Sequence, residues 1–199
     1  MTLLLVHGLG RTPLSLFGLA SALRGEGHQT RFFGYSPTFE SYSRILRRLT
    51  DRLGDLARFA KPVGLVGHSL GGLFLRLVLP RVPELRVHHL VTLGTPVRVP
   101  RLARIASRVL PFRLLTRGCG RLLATPDDFA TLPPPGVPHT AIAGTAGPRG
   151  RFSPFGPDAN DGVVAVNETD ATVLLPVLHT FMMNSPAVRE RIVAIMNFG

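Results

Sequence analysis

Short apolar runs alternate along this chain with longer stretches whose apolar residues recur every three or four positions. The run at 3–6 is Leu3, Leu4, Leu5 and Val6 with no polar break, which is how a strand buried on both faces reads. Residues 14–23 take helical spacing and stop at Gly25, and 29–34 is a second strand candidate. Between 39 and 59, Tyr42, Ile45, Leu46, Leu49, Leu53 and Leu56 fall at helical spacing with arginines between them. Further strands are predicted at 63–66, 90–93, 140–143 and 172–175, and a helix at 73–79 that stops near Pro80. A last helix starts at Pro186, with Ser185 as its N-cap and Val188, Ile192 and Ile195 as its apolar face. Strands that alternate with helices imply a parallel sheet covered on both sides. In such sheets chemistry collects at the carboxyl ends of the strands.

Residues 97–135 break the alternation. They hold two helical pieces, 102–110 and 112–123, on either side of Pro111, and run into three prolines at 133–135. A connection this long is expected to form a small helical cap over one edge of the sheet. The 199 residues suit a single domain, 1–199, that carries this cap as an excursion. With 45% hydrophobic and 18% charged residues, the composition excludes a disordered chain. One cysteine, Cys119, excludes a disulfide framework and a zinc–thiolate cluster. No apolar run approaches the roughly 18 residues of a membrane span. The run at 3–6 is too short for a signal peptide and lacks a basic flank, so a cytoplasmic location is expected.

After the strand at 63–66 comes Gly67-His68-Ser69-Leu70-Gly71, followed by Gly72 and an apolar helix. This is a G-x-S-x-G pentapeptide between strand and helix, the context that holds a serine hydroxyl exposed on a strained turn. Serine is a weak nucleophile until a base takes its proton and an acid orients that base. His179 follows the last strand and so lies at a carboxyl end; it is the candidate base. His88, His89 and His139 precede strands and belong at the opposite edge, His68 is expected to point elsewhere, and His7 to fix its own loop. Acid candidates after the fifth strand are Asp158, Asp161, Glu168 and Asp170. Asp161 leads, because Asn160-Asp161-Gly162 permits a tight turn that aims the carboxylate inward, and Asp158 is the alternative. The oxyanion donors are expected to be the backbone N–H groups of Leu70, next to the serine, and Leu9, in the loop after the first strand.

These stretches, together with Leu93-Gly94-Thr95-Pro96 and Asn160-Asp161-Gly162-Val163-Val164, resemble an α/β-hydrolase. More narrowly, they resemble the small bacterial lipases and esterases of the triacylglycerol-lipase type. The resemblance spans nearly the whole chain. It implies a three-layer α/β fold with about six parallel strands and a small helical cap. It also implies a triad of Ser69, Asp161 and His179, with Leu9 and Leu70 at the oxyanion. The implied activity is carboxylester hydrolysis through an acyl-enzyme. Thioesterase, amidase or acyltransferase chemistry on the same triad stays open, as does a phospholipase or lipid-anchor deacylase at a membrane, or a non-catalytic binding protein on the same fold. No cofactor is implied. No metal is expected either, since no second acidic cluster is placed to match the structural calcium site of some of those lipases.

Charge adds one further feature. The chain has 23 basic against 12 acidic residues, net +11, and only Lys61 among the basic residues is lysine. An arginine bias of this kind is consistent with coding composition alone. Its distribution is nonetheless uneven: residues 85–126 hold no acid but do hold Arg98, Arg101, Arg104, Arg108, Arg113, Arg117 and Arg121. Arg101, Arg104 and Arg108 share one helical face, with Leu102, Ile105 and Val109 on another. Such a face reads either as a solvated surface or as a contact with an anionic membrane or anionic substrate. No nucleic-acid motif or aromatic stacking platform accompanies it, so nucleic acid is not expected as a partner. The substrate expected is a small-molecule or lipid ester; nothing in the pattern fixes an oligomeric state.

Overall fold

The apolar run at the start of the chain becomes β1 (Thr2–Val6), whose last four residues are fully buried. The computed structural model describes residues 1–198, with the side chains at 112–115, 117 and 128 outside that description. Along the chain β1 is followed by α1 (Phe17–Gly25), β2 (Gln29–Phe33), α2 (Tyr42–Ala57), β3 (Val63–His68), α3 (Leu70–Val78) and β4 (Val87–Leu93). Then come α4 (Arg101–Ala106), α5 (Leu110–Ala124), α6 (Pro126–Ala130), β5 (His139–Gly144), β6 (Val173–Leu175) and α7 (Pro186–Phe198). All six strands run parallel in one sheet, in the order β2-β1-β3-β4-β5-β6.

Side chains alternate across a strand, so β1 feeds two cores. Leu4 and Val6 pack with Ile45, Leu49 and Leu53 of α2 and with Leu73 and Phe74 of α3. Leu3 and Leu5 pack with Leu19 and Leu23 of α1 and with Val188, Ile192 and Met196 of α7. This gives the expected three layers. After β2 the chain crosses back past β1 to add β3 on its other side. The order therefore reverses between β1 and β3, and a parallel sheet opens a crevice at the carboxyl ends of such a pair.

Three details differ from the sequence pattern. Helix is expected from residue 14, but Pro13–Leu16 forms a 3₁₀ turn and α1 begins after it. The strand expected at 90–93 starts at Val87, with His88 and His89 inside it. His89 Nε2 meets Thr140 Oγ1 and His139 Nε2 meets Thr92 Oγ1, both at 2.9 Å, so polar pairs join β4 and β5 where no hydrophobic alternation marks a strand. Pro111 does not separate two helices. It sits in the first turn of α5, where its missing N–H is no loss, and the break falls at 107–109.

The basic face of the excursion is not as expected. Helix α4 has six residues, so Arg108 lies beyond it. Arg101 does not share an open face with Arg104: it pairs with Asp158 at 2.5 Å, donates to Phe155 O at 3.2 Å, and brings Nε to 3.6 Å from Glu168. Helical spacing shows which residues share a face, but not which face a carboxylate from another loop will capture. Ile105 and Val109, expected on an apolar face, are half exposed. The side chains of Arg113 and Arg117, part of the same basic stretch, lie outside the described residues. Among those described, no helix is long and apolar enough to cross a membrane.

Candidate active site

Strand β3 runs directly into Ser69, and α3 begins at the next residue. The reversal holds Ser69 at φ 51° and ψ −119°, a left-handed conformation that costs an L-residue about 1–3 kcal/mol. The turn closes because strand and helix touch: a Cβ on Gly67 would stand 2.4 Å from Gly72 Cα. Ser69 N donates to Leu93 O at 2.8 Å and Thr95 Oγ1 donates to Ser69 O at 3.1 Å, so the end of β4 braces the turn.

Two backbone N–H groups lie next to the serine in sequence or space: Leu70 follows Ser69, and Leu9 lines a cavity with it. Leu70 N–H is the first of α3, where helix N–H groups have no intrahelical acceptor. Leu9 N–H lies in the loop after β1. Among the described residues neither donates to a protein acceptor. His7 shapes that loop, as expected. Its Nδ1 donates to Gly8 O at 2.9 Å, while its Nε2 accepts from Tyr35 N at 3.3 Å. Its ring stacks on Tyr35 at 4.3 Å, and the Tyr35 hydroxyl donates to His7 O at 2.9 Å. Burial lowers the His7 pKa, partly offset by the bond to Gly8 O.

His179 and Asp161 meet at two points. His179 Nδ1 donates to Asp161 Oδ2 at 2.6 Å, and His179 N donates to Asp161 O at 2.8 Å. Asp161 Oδ1 accepts from Val163 N at 2.9 Å and Val164 N at 2.7 Å. The carboxylate is thus fully buried yet held by three donors, and its direction is fixed. The turn itself is set by Asn160, whose Oδ1 accepts from Gly162 N and whose Nδ2 donates to Pro148 O and Asp158 O.

The other acids are engaged elsewhere. Asp158 pairs with Arg101, whose hydrogen bond holds the Asp158 carboxyl below its ordinary pKa. Glu168 accepts from the N–H groups of Ala165 and Arg101, and Asp170 pairs with Arg76 at 2.6 Å. Their positions on loops near Asp161 look equivalent in sequence; only their partners separate them.

Ser69 and His179 line one cavity of about 260 Å³ together with Leu9. The excursion contributes Leu102, Ala103, Ala106 and Leu123 to its walls, and Val163, Val164 and Thr180 close it from the other side. No hydrogen bond joins Ser69 to His179 among the described residues, a link that is commonly loose before substrate is bound. The elements that meet at this largely apolar space are therefore the strained serine and the anchored imidazole. Among the described residues no group of three or more His, Cys, Asp or Glu side chains is placed to hold a metal ion.

One sequence expectation fails here. His68 does not point away from the site: it lines the cavity and packs on the His179 ring, centroids 4.8 Å apart. Burial, then the neighbouring His179 charge, push its pKa well below the ordinary value. The sequence reading also missed the part of Gly94, whose backbone passes so close to His179 and Asp161 that a Cβ would lie 2.8 Å from His179 Nδ1. A glycine after the fourth strand was the one available signal.

The family model described as "Alpha/beta hydrolase family" matches residues 3–195. The chain belongs to the alpha/beta hydrolase family. Among its relatives is a probable esterase, PIR7A, of Oryza sativa subsp. indica, 30% identical over 92 residues. That match covers 40% of this chain and 33% of the rice protein, so it spans about a third of the relative's length. The solved lipase BlEst2 of Bacillus licheniformis superposes with TM-score 0.68 in its mature form, at 20% identity, over 99% of this chain and 89% of that one. Its propeptide form gives 0.70 at 21% identity, over 96% of this chain and 50% of the other. At these identities the likeness is one of fold. It shows that this chain shares the fold of that lipase.

Proposed function

We propose that this hydrolase is a serine carboxylester hydrolase. Ser69 attacks an acyl carbonyl while His179 Nε2 takes its proton. Asp161 keeps the other imidazole proton on Nδ1 and stabilises the cation that forms. The N–H groups of Leu9 and Leu70 hold the oxyanion, a contribution worth about 10²–10³ in rate for a single donor. His179 then returns the proton to the leaving alcohol, and a water activated by the same imidazole releases the acid from Ser69. The excursion α4–α6 acts as the cap, and its apolar wall receives the acyl chain. The observation that carries this reading is the clamp of His179 by Asp161 on a cavity shared with a strained serine. The names of the rice esterase and the Bacillus lipase support the ester bond as target.

The test is a p-nitrophenyl ester series of increasing chain length, run on wild type and Ser69→Ala. Turnover should rest on Ser69, and a fluorophosphonate probe should label that residue. Wild-type turnover in Ser69→Ala would sink the assignment.

A second reading sets the same chemistry at an anionic membrane surface, as a phospholipase or lipid-anchor deacylase. It is supported by exposed Ile105, Val109 and Leu110 interleaved with exposed Arg104 and Arg108 beside the cavity. Salt-sensitive binding to anionic vesicles would favour it. Activity on soluble esters alone, indifferent to vesicles, would count against it.

A further inference from the structure

Among the described arginines, Arg11 is the one that lines the cavity of Ser69 and His179. Arg101 and Arg76 are both neutralised, by Asp158 and Asp170. Arg11 is not. It follows Leu9 by two residues on the loop after β1, and its own N–H donates to Gly8 O at 3.3 Å, closing that loop into a turn. It lines the same cavity as Ser69 and His179 and is only partly exposed. Among the described residues its guanidinium has no hydrogen-bond or ion-pair partner, and no carboxylate lines the cavity with it. The Arg11 charge also adds, after burial and His179, to the pressure against protonating His68, so it is felt at the reacting end of the cavity.

A planar guanidinium with no counter-charge in a largely apolar pocket is a preformed site for an oxyanion, because its fork matches carboxylate or phosphate oxygens two at a time. Apart from Ser69, His68, His179 and Thr180, the residues that line the cavity with Arg11 are apolar. We propose that Arg11 is a specificity-determining residue that selects esters with one apolar end and one anionic group, a carboxylate or a phosphate. This rests on the hydrolase reading above and narrows its substrate class.

Two soluble substrate pairs test it. The first sets p-nitrophenyl hydrogen glutarate against its methyl ester, and the second sets dibutyryl phosphatidylglycerol against dibutyrylglycerol. Each pair is run on wild type and Arg11→Met. In at least one pair the anionic member should be preferred by about 10–100-fold in kcat/KM, as expected for hydrogen bonds to a charged group. That ratio should fall to about 1 in Arg11→Met. The first pair reports a carboxylate on the acyl side, the second a phosphate on the leaving group. No preference in either pair overturns the inference. So does an equal loss on both members in Arg11→Met, which would make Arg11 a general aid to turnover. If no ester is turned over, the hydrolase reading fails on its own. The same pairs titrated by calorimetry into Ser69→Ala, with and without Arg11→Met, then decide the Arg11 inference by affinity ratio.

Discussion

His68 Nε2 lies 3.1 Å from the main-chain oxygen of His179, and the two rings pack with centroids 4.8 Å apart. A carbonyl only accepts, so Nε2 carries a hydrogen, and among the described residues the buried Nδ1 has no partner that would favour a second one. His68 is therefore held neutral beneath the proposed base, and burial first, then the His179 charge, lower its pKa well below the usual value. Between that lowered value and about 6.5 the unfolded chain binds a proton that the fold excludes. The resulting stability is complete above about pH 6.5 and lost as pH falls below it, with a slope of about 1.4 kcal/mol per pH unit. Buried His7 adds with the same sign. Urea unfolding at pH 7.5 and 5.5 should show lower stability at the acid value, and His68→Gln should flatten that dependence. An identical slope in wild type and variant would contradict the neutral-His68 account.

The two aspartates weighed in the sequence differ in their partners. Asp161 holds the imidazole, whereas Asp158 holds Arg101. Loss of the orienting acid leaves the wrong tautomer in play, so Asp161→Ala should lower kcat/KM by about 10³–10⁴-fold. Asp158→Ala should stay within about 3-fold, because a partly exposed pair contributes little. Steady-state kinetics on one soluble ester separates them, and a larger loss at 158 would reassign the acid.

How far the sequence reached follows from the kind of interaction involved. Leu3 to Val6 and the helical faces of α2 and α7 were legible because burial writes itself as periodicity. The sharp turn at Ser69 and the pairing of Asp161 with His179 were legible because turns and strand ends impose local residue types. Arg101 and His68 were misread because their positions depend on partners far along the chain, Asp158 and His179. The start of β4 was missed for the same reason, since Thr140 and His139 sit on a strand some fifty residues later.

Gly94 makes a sharper test of the geometry. At φ 53° it occupies a conformation that suits glycine, and a Cβ there would stand 2.8 Å from His179 Nδ1 and 3.0 Å from Asp161 Oδ2. Gly94→Ala should therefore displace the imidazole. A shift of about 1 Å is enough to cost about 10²-fold in rate. The backbone strain should cost about 1–3 kcal/mol in stability. The measurement is kcat/KM beside thermal unfolding. Unfolding without loss of specific activity in the folded fraction would mean that Gly94 serves the loop alone.

Arg101 ties the excursion to the body of the fold, and its removal should loosen that excursion more than the whole. Its guanidinium bonds Asp158 and Phe155 O, and its main-chain N–H donates to Glu168. The side chains of Arg101 and Asp158 are 33% and 35% exposed, so solvent screening leaves the pair little weight in global stability. Glu168 keeps its two backbone donors when the guanidinium is gone, so no buried charge is stranded. Arg101→Met should accordingly change the unfolding midpoint little. Limited proteolysis, however, should cut within 101–130 faster than in wild type. Because Pro100, Leu102, Ala103 and Ala106 form one wall of the cavity, KM for longer acyl chains should rise more than KM for acetate. Proteolysis and chain-length profiles identical to wild type would show that other contacts hold the excursion in place.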